Sequence, residues 1–196
     1  MSGDAVNSAQ VNVSDLHKAI PELRQGDHIL LSGDIYTARD AAHIMLSDLL
    51  DSCGTLPFDI RGAVIYYAGP TPGGSRPVGS CGPTTSGRMD AFTPRLYDMG
   101  LSATIGKGER SMAVRDAIVR NNGIYLCAVG GAGALIAKHI VSAKEIAFPE
   151  LGCESIKLLT VASMPLTVGI DCLGGDIFEL GRKRYELVKD SARERA

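Results

Sequence analysis

Short apolar runs alternate with segments of helical character along most of this chain, and glycine-rich turns separate them from His28 onward. This interleaving of strands and helices is the pattern of an α/β domain. The predicted strands are residues 29–32, 63–67, 102–105, 124–129, 156–161 and 166–170. The predicted helices are residues 14–20, 38–50, 94–99, 111–121, 134–140 and 182–190, with Pro21 ending the first of them.

Length and composition are those of one domain that folds without disulfides. The chain has 196 residues, and a domain of that size buries roughly 70% of the surface that its unfolded chain would expose. Residues 1–10 are small and polar, so we expect a flexible amino-terminal tail. We expect a single domain over residues 11–196.

The charge pattern excludes several classes of partner. A formal net charge of −2 provides no general attraction for nucleic acid or for an anionic membrane. No stretch approaches the roughly 20 apolar residues that a membrane-spanning helix needs. The amino-terminal sequence also lacks the basic and then apolar pattern of a secretory signal, so we expect a cytoplasmic protein.

The cysteines give no sign of a metal site. They are scattered, with no C-x-x-C pair and no histidine at the spacing of a zinc finger, at Cys53, Cys81, Cys127, Cys153 and Cys172. We expect reduced and mostly buried thiols. An iron–sulfur cluster usually needs three or four thiolates that converge on one point.

The segment GDIYTARDAAH joins a predicted strand to a predicted helix. Thr37 and Asp40 fit a capping box, which would put Arg39 in the first turn, beside free N–H groups and the positive end of the helix dipole. An arginine there is unfavourable without an anion nearby, so the pattern indicates an anion site. A surface ion pair of Arg39 with Asp40 or Asp34 is the alternative. His43, one turn later, is either a hydrogen-bonding partner or a proton-transfer group.

The segment GSCGPTTSGRMD is dense in small and hydroxyl residues and holds one guanidinium, that of Arg88. Ser86 is predicted to cap a short helical turn that brings Arg88 near its start, where guanidinium and N–H groups would meet one anion. The next helix is predicted to have Thr93 as its cap, Pro94 at its first position and Gly100 as its terminator.

Two further glycine-rich segments follow predicted strands. In IGKG, Lys107 lies between two glycines, where the backbone can bend to direct an ammonium group inward. The segment GGAGA opens a helix, as a dinucleotide site would, but the third glycine of G-x-G-x-x-G falls on Ile136 and no acid clearly fills the ribose-binding role. Close packing of a helix on a strand is the ordinary reason for such small residues.

Five segments, GDIYTARDAAH, YYAGPTP, GSCGPTTSGRMD, IGKG and VGGAGAL, occur in this order between about Gly26 and Ile177. Together they resemble the C-terminal domain of class I fumarases, which is either fused behind a longer domain or a separate β subunit. At 196 residues the chain looks like the β subunit. The resemblance implies an α/β fold of the swivelling β/β/α type and a hydro-lyase that adds water reversibly to fumarate to give L-malate.

The resemblance also implies roles for single residues. Arg39, Arg88 and Lys107 would bind substrate carboxylates, which suits the planar and permanently charged guanidinium. Thr84 matches the residue proposed as the proton-abstracting base, a role in which a threonine hydroxyl needs a neighbouring group to take its proton. The residues expected to contact these side chains, rather than the substrate itself, are His43, Thr85 and Asp90.

A cofactor and a partner follow from the same resemblance. The family's [4Fe-4S] cluster is held by three cysteines of the other domain or subunit, and its open iron would act as a Lewis acid for the hydroxyl group. We therefore expect a hetero-oligomer with a cluster-bearing α subunit, in which neither subunit turns over alone.

Two alternative functions stay open. The β subunit of L-tartrate dehydratase belongs to the same hydro-lyase group and would use the same dicarboxylate clamp. A module of another class would hold a nucleotide or an organic anion at the glycine-rich helix starts, without a cluster and without turnover.

Overall fold

The structure is a computed structural model that describes residues 9–193, with side chains as far as residue 186. Its strands are β1 (Ala9–Asn12), β2 (His28–Thr37), β3 (Val64–Tyr66), β4 (Ala103–Gly106), β5 (Ile124–Cys127), β6 (Ile140–Ala147) and β7 (Ile156–Ile170). Its α-helices are α1 (Leu16–Ala19), α2 (Asp40–Ser52), α3 (Thr93–Asp98), α4 (Met112–Arg120), α5 (Gly133–Ala137) and α6 (Ile177–Arg193). Short 3-10 helices span Val13–Asp15, Ile20–Glu22, Ser86–Met89 and Pro149–Glu154.

Strand β7 closes the sheet into a five-stranded mixed barrel. Strands β2, β3, β4 and β5 lie side by side in parallel. The 15-residue β7 runs antiparallel to both β5 and β2, which completes the ring. Outside the ring, β1 pairs in parallel with the first half of β2, and β6 pairs antiparallel with β7.

Local irregularities accompany the pairing of β2 with β7. The register between these strands shifts between Leu31 and Gly33. Gly33 has a φ of 120°, a conformation that L side chains rarely adopt, so glycine is required there. In β7, Ser163 has a φ of 50°, and its backbone N–H donates to Ser32 Oγ at 2.9 Å.

Side chains that alternate along the strands form two apolar layers. In β3 and just after it, Val64 and Tyr66 belong to the layer that fills the barrel, and Ile65 and Tyr67 to the layer between barrel and helices. The outer layer takes buried side chains from one face each of α2, α3 and α4. The barrel is therefore a packed core, and its inner layer includes the fully buried Leu31.

The α/β class is confirmed, and the predicted helices 38–50, 94–99 and 111–121 correspond to α2, α3 and α4 within two residues at each end. The predicted break between strands 156–161 and 166–170 is wrong. The chain does not turn there, and both segments belong to β7.

One strand and two helix ends differ from the prediction. The predicted helix 134–140 is wrong at its end, because α5 stops at Ala137 and Ile140 begins β6. Strand β6 lies at the edge of the sheet with mostly solvent-accessible side chains, so it lacks the apolar pattern of a buried strand. Pro21 does not end the first helix, since a 3-10 helix continues through Glu22.

Some expectations fall at the chain ends. Residues 9 and 10, expected in the tail, begin β1, whereas residues 1–8 and 194–196 lie outside the described residues. The tail and the domain boundaries stay predictions. Within residues 9–193, no helix combines the length and the apolar character needed to cross a bilayer.

Truncation of Leu31 tests the packed barrel. Its side chain is fully buried in the inner layer, so we expect Leu31→Ala to lower the free energy of unfolding by about 2 to 5 kcal/mol. Leu173 is 69% exposed, and Leu173→Ala should change it by less than about 0.5 kcal/mol. Denaturant titration measures both, and equal losses would contradict a filled barrel.

Candidate functional site

The carboxyl ends of β2, β3, β4 and β5 lie together because the four strands are parallel neighbours. In open α/β sheets, this is the side on which ligands bind. Here it is formed by the residues that follow these strands and by the segment paired with them, and we call it the carboxyl edge: residues 38–41, 67–71, 84–90, 107–111 and 128–133. All five segments that carry the resemblance contribute to it directly.

Arg39 and Arg88 meet at one oxygen atom. Arg39 Nη2 lies 3.6 Å from Asp40 Oδ2, and Arg88 Nη2 lies 3.0 Å from the same oxygen. The Arg39 side chain is 24% exposed and that of Arg88 49% exposed, so both remain accessible at the surface. Two guanidinium groups, 49 residues apart in sequence by number (88 − 39), thus converge on a single carboxylate.

A second carboxylate holds Arg39 from the other side. Glu154 lies two residues before the start of β7, whose antiparallel direction brings its amino end to the carboxyl edge. Its Oε1 lies 3.3 Å from Arg39 Nη2, and its Oε2 accepts a hydrogen bond from the Ala41 backbone N–H at 3.2 Å. Arg39 Nε is buried and has no hydrogen-bond partner among the described residues, which leaves a donor for a ligand.

The predicted capping box is wrong. Helix α2 begins at Asp40 with Arg39 at its N-cap, and no side chain caps it from that position. The Thr37 hydroxyl instead accepts from the Lys157 N–H at 3.0 Å and donates to Ser155 O at 3.3 Å. Arg39 therefore lies immediately before the helix, and Glu154 takes part of the capping role.

Thr84 and Lys107 are joined through their backbones. The Lys107 N–H donates to Thr84 O at 3.2 Å, and the Ser86 N–H donates to Lys107 O at 2.9 Å, which makes Thr85 and Lys107 bridge partners. The Thr84 N–H in turn donates to Tyr67 O at 2.7 Å. The proposed base and the proposed ammonium group therefore extend from neighbouring backbone segments.

The predicted caps after Thr84 are wrong, although the helices exist. Ser86 is the first residue of the 3-10 helix Ser86–Met89, and its hydroxyl pairs with that of Tyr125 at 2.9 Å. Arg88 lies in the last turn of this helix rather than at its start. Thr93 is the first residue of α3, and its hydroxyl donates to Met89 O. Gly100 has a φ of 104° after α3, as its predicted terminating role requires.

The glycines of GGAGA have different roles, since Gly131 has a φ of 79° with open space around it and Gly133 is closely packed. A Cβ on Gly133 would lie 2.5 Å from Ser80 Oγ and 3.0 Å from the Gly82 backbone nitrogen. The Cys81 N–H also donates to Gly133 O at 3.0 Å. A small residue is thus required where the start of α5 touches the segment 80–82, rather than where a helix touches a strand. Gly130 packs against the aliphatic part of Lys107.

Arg110 is a buried residue of this region that the sequence analysis does not single out. Its side chain is fully buried, and its Nε donates to Asp90 Oδ1 at 2.7 Å. Its Nη1 donates to Thr104 Oγ1 and its Nη2 to Thr93 Oγ1, both at 3.0 Å. No local sequence pattern distinguishes it from a surface arginine, because Asp90 and Thr93 lie 20 and 17 residues away in sequence.

Comparison with known proteins shows the family to which this chain belongs. The family model described as "Fumarase C-terminus" matches residues 2–181. The chain belongs to the fumarase C-terminal domain family. It is 37% identical to "Fumarate hydratase 2" of Leishmania major over 84% of this chain and 31% of that protein. It is 42% identical to "Fumarate hydratase class I, anaerobic" of Escherichia coli K12 over 76% of this chain and 28% of that protein.

A further relative has nearly the same length as this chain. The protein named "Putative L(+)-tartrate dehydratase subunit beta" of Methanocaldococcus jannaschii is 35% identical over 88% of this chain and 93% of its own length. By contrast, the chain spans less than a third of the fumarate hydratases just named. This fumarase-family domain therefore matches a part of those enzymes and nearly the whole of a protein named as a subunit.

The thiols of this family member do not fit an iron–sulfur cluster. Among residues 9–193, no three cysteine, histidine, aspartate or glutamate side chains are grouped as metal ligands. Burial raises the pKa of Cys81 to about 12 and that of Cys127 to about 11, so both are protonated near neutral pH. Cys53 and Cys153 are exposed rather than mostly buried as expected.

His43 is a neutral partner of the Arg39 backbone. Its Nδ1 lies 2.9 Å from Arg39 O, and because a carbonyl can only accept, Nδ1 carries the hydrogen. Burial lowers the pKa of His43 to about 4. Its Nε2 has no partner among the described residues. The side chain helps to fix the backbone before α2, and its ring packs on Tyr67 with centroids 5.4 Å apart.

Replacing His43 should change how stability depends on pH. Its pKa falls from 6.5 to about 4 on folding, so the unfolded chain binds more protons between these values. Stability from this group is present above pH 6.5 and is lost as pH falls toward 4, by about 3 kcal/mol in total. We expect His43→Gln to unfold with less pH dependence between pH 4 and 6.5. Parallel stability curves of variant and parent would contradict this.

Proposed function

We propose that this chain is the β subunit of a two-subunit hydro-lyase that interconverts fumarate and L-malate, and that it grips a substrate carboxylate. The observation that carries the proposal is the meeting of Arg39 and Arg88 at one carboxylate oxygen. An array of donors that already binds one carboxylate has the geometry to bind another. We further propose that the barrel is of the swivelling β/β/α type.

The proposed substrate is a small dianion, which suits the composition of the carboxyl edge. Arg39 and Arg88 would bind one carboxylate, and Lys107 would bind or neutralise the other from the adjacent segment. Their positive charge would also stabilise the negative charge that develops when a C–H proton leaves. Thr84 is the proposed proton-transfer residue, and its backbone bonds to Tyr67 and Lys107 hold it beside the Lys107 backbone. His43, Thr85 and Asp90 are the proposed supporting residues.

The proposed partner is a cluster-bearing α subunit. The relative of matching length is named as a subunit, and the fumarate hydratases contain a long segment that this chain does not match. Because the described thiols are not grouped as ligands, the family's [4Fe-4S] cluster would be held by that partner. All five cysteines are free thiols, which agrees with the proposed cytoplasmic setting.

L-tartrate dehydration is the second candidate reaction. It is favoured by the relative from Methanocaldococcus jannaschii, which this chain covers over 93% of its length. Tartrate carries one more hydroxyl than malate. Arg39 and Arg88 would therefore bind a carboxylate of tartrate in the same way, in a pocket with one more hydrogen-bonding position. A nucleotide-binding module has less support, since packing accounts for Gly133 and a positive φ for Gly131.

Purification from the native organism tests the proposal. The tagged chain is captured without oxygen and assayed with fumarate, L-malate and L-tartrate. We expect a larger chain to be captured with it, together with iron and acid-labile sulfide, and fumarate hydration to exceed tartrate dehydration. Preference for tartrate would select the second candidate. A colourless chain captured alone, with tight nucleotide binding and no turnover, would refute the hydro-lyase.

Truncation of Arg88 tests the clamp in that complex. Arg88→Ala removes one charged partner of a desolvated carboxylate, so it should weaken transition-state binding by an amount on the order of 2 to 5 kcal/mol. The kcat/KM should then fall at least about 30-fold. The control is Arg95→Ala. The Arg95 side chain is 48% exposed, which is close to the exposure of Arg88, and it pairs with Asp51. It lies outside the carboxyl edge. The clamp is wrong if Arg88→Ala and Arg95→Ala have equal kcat/KM.

A further inference from the structure

The side chain of Arg110 connects the two site-bearing segments from behind. The segment 84–90 carries Thr84 and Arg88, and the segment 107–111 carries Lys107. Arg110 Nε donates to Asp90 Oδ1 at 2.7 Å, and the other oxygen of Asp90 accepts from the Ser111 N–H at 2.5 Å. Asp90 thus binds one side chain and one backbone group of the facing segment.

The opposite ends of the two segments are also joined. There the Lys107 N–H donates to Thr84 O, and the Ser86 N–H donates to Lys107 O. The segment that contains Arg88 is therefore tied at one end by backbone bonds and at the other by the Arg110–Asp90 ion pair. Arg88 lies between the two ties.

The remaining contacts of Arg110 fix it to the barrel and to α3. Its guanidinium donates to Thr104 of β4 and to Thr93, the first residue of α3. It lies 5.3 Å from the ring centroid of Tyr67 and 5.0 Å from that of Tyr125. Each guanidinium nitrogen donates a hydrogen bond, so the side chain has little freedom to move.

The arrangement is costly if stability is its only role. Placing a charged pair in the interior costs several kcal/mol of desolvation, and well-packed apolar residues often stabilise a protein as much. An ion pair differs from an apolar contact in that it specifies direction and distance. A guanidinium with fixed partners therefore sets the separation of two segments in a way that apolar packing does not.

We propose that Arg110 and Asp90 are a positioning pair that sets Thr84 and Arg88 in register with Lys107 for substrate binding. The proposal rests on the proposed function, because it assumes that these three residues act on one ligand. Arg110 itself touches no substrate. Asp90, which we expected to support the site, would do so by binding Arg110 and the Ser111 N–H of the facing segment.

Enzyme kinetics on the purified complex provide the first test. Arg110→Lys keeps the charge but not the planar set of donors, and Asp90→Asn keeps the shape but not the charge. We expect each to lower kcat/KM for the preferred substrate at least tenfold. The kcat/KM of the double variant should lie within about threefold of that of the less active single variant, because both changes break the same contact.

Arg120→Met is the matched control. Arg120 forms a two-bond ion pair with Asp98 away from the carboxyl edge, and its loss should leave kcat/KM within twofold. The positioning role is overturned if the Arg110 and Asp90 variants keep kcat/KM within threefold while their unfolding midpoints fall. It is also overturned if their effects on kcat/KM simply multiply in the double variant.

Amide hydrogen exchange of the isolated full chain gives a second readout that needs no activity. In Arg110→Lys, the Ser86 and Lys107 amides should exchange at least tenfold faster, while the amides that pair β2 with β7 keep their rates. Equal acceleration of all these amides would indicate general destabilisation and refute the positioning role. If the purified complex turns over none of the three diacids, the proposed function fails, and this exchange pattern still tests the coupling of the segments.

Discussion

The pairing of β7 with two strands at once is the constraint on which the rest of the structure depends. Because β7 joins β5 to β2, the four parallel strands between them form a closed wall rather than an open sheet. Because the strands are parallel, the segments that follow them all lie at the same end of the barrel. Arg39 and Lys107, which are 68 residues apart by number, reach the same edge for this reason. The same antiparallel course brings Glu154 there as well.

Charge compensation makes this edge possible. Two guanidinium groups that share one oxygen lie within roughly 6 Å of each other, and at an effective dielectric constant of about 20 they repel by about 3 kcal/mol. Asp40 lies between Arg39 and Arg88, and Glu154 holds Arg39 from the far side. Asp40, one of the two acids that the sequence offers as an alternative to an anion site, is thus part of the proposed site. Arg39 pairs with Asp40, and Arg88 joins the same oxygen.

The sequence predicts the α/β class, the helices of the outer layer and the segments at the carboxyl edge, because these depend on local periodicity and local motifs. It fails where the partner is distant along the chain. Thr37 looks like a helix cap, but its hydroxyl bonds to Ser155 and to the Lys157 N–H, about 120 residues away. Arg110 has no local signal, since Asp90 and Thr93 become its neighbours only in the folded chain.

The exposure of the clamp bears on why this domain would need a partner. Arg88 is about half exposed, and an ion pair with a ligand at such a site is weakened by solvent. In the proposed complex, a covering subunit would exclude water and strengthen each contact to the substrate carboxylate. The same cover would supply the cluster ligands that the described thiols do not form. The proposed anion clamp, preorganised but uncovered, is therefore what one half of a shared active site should present.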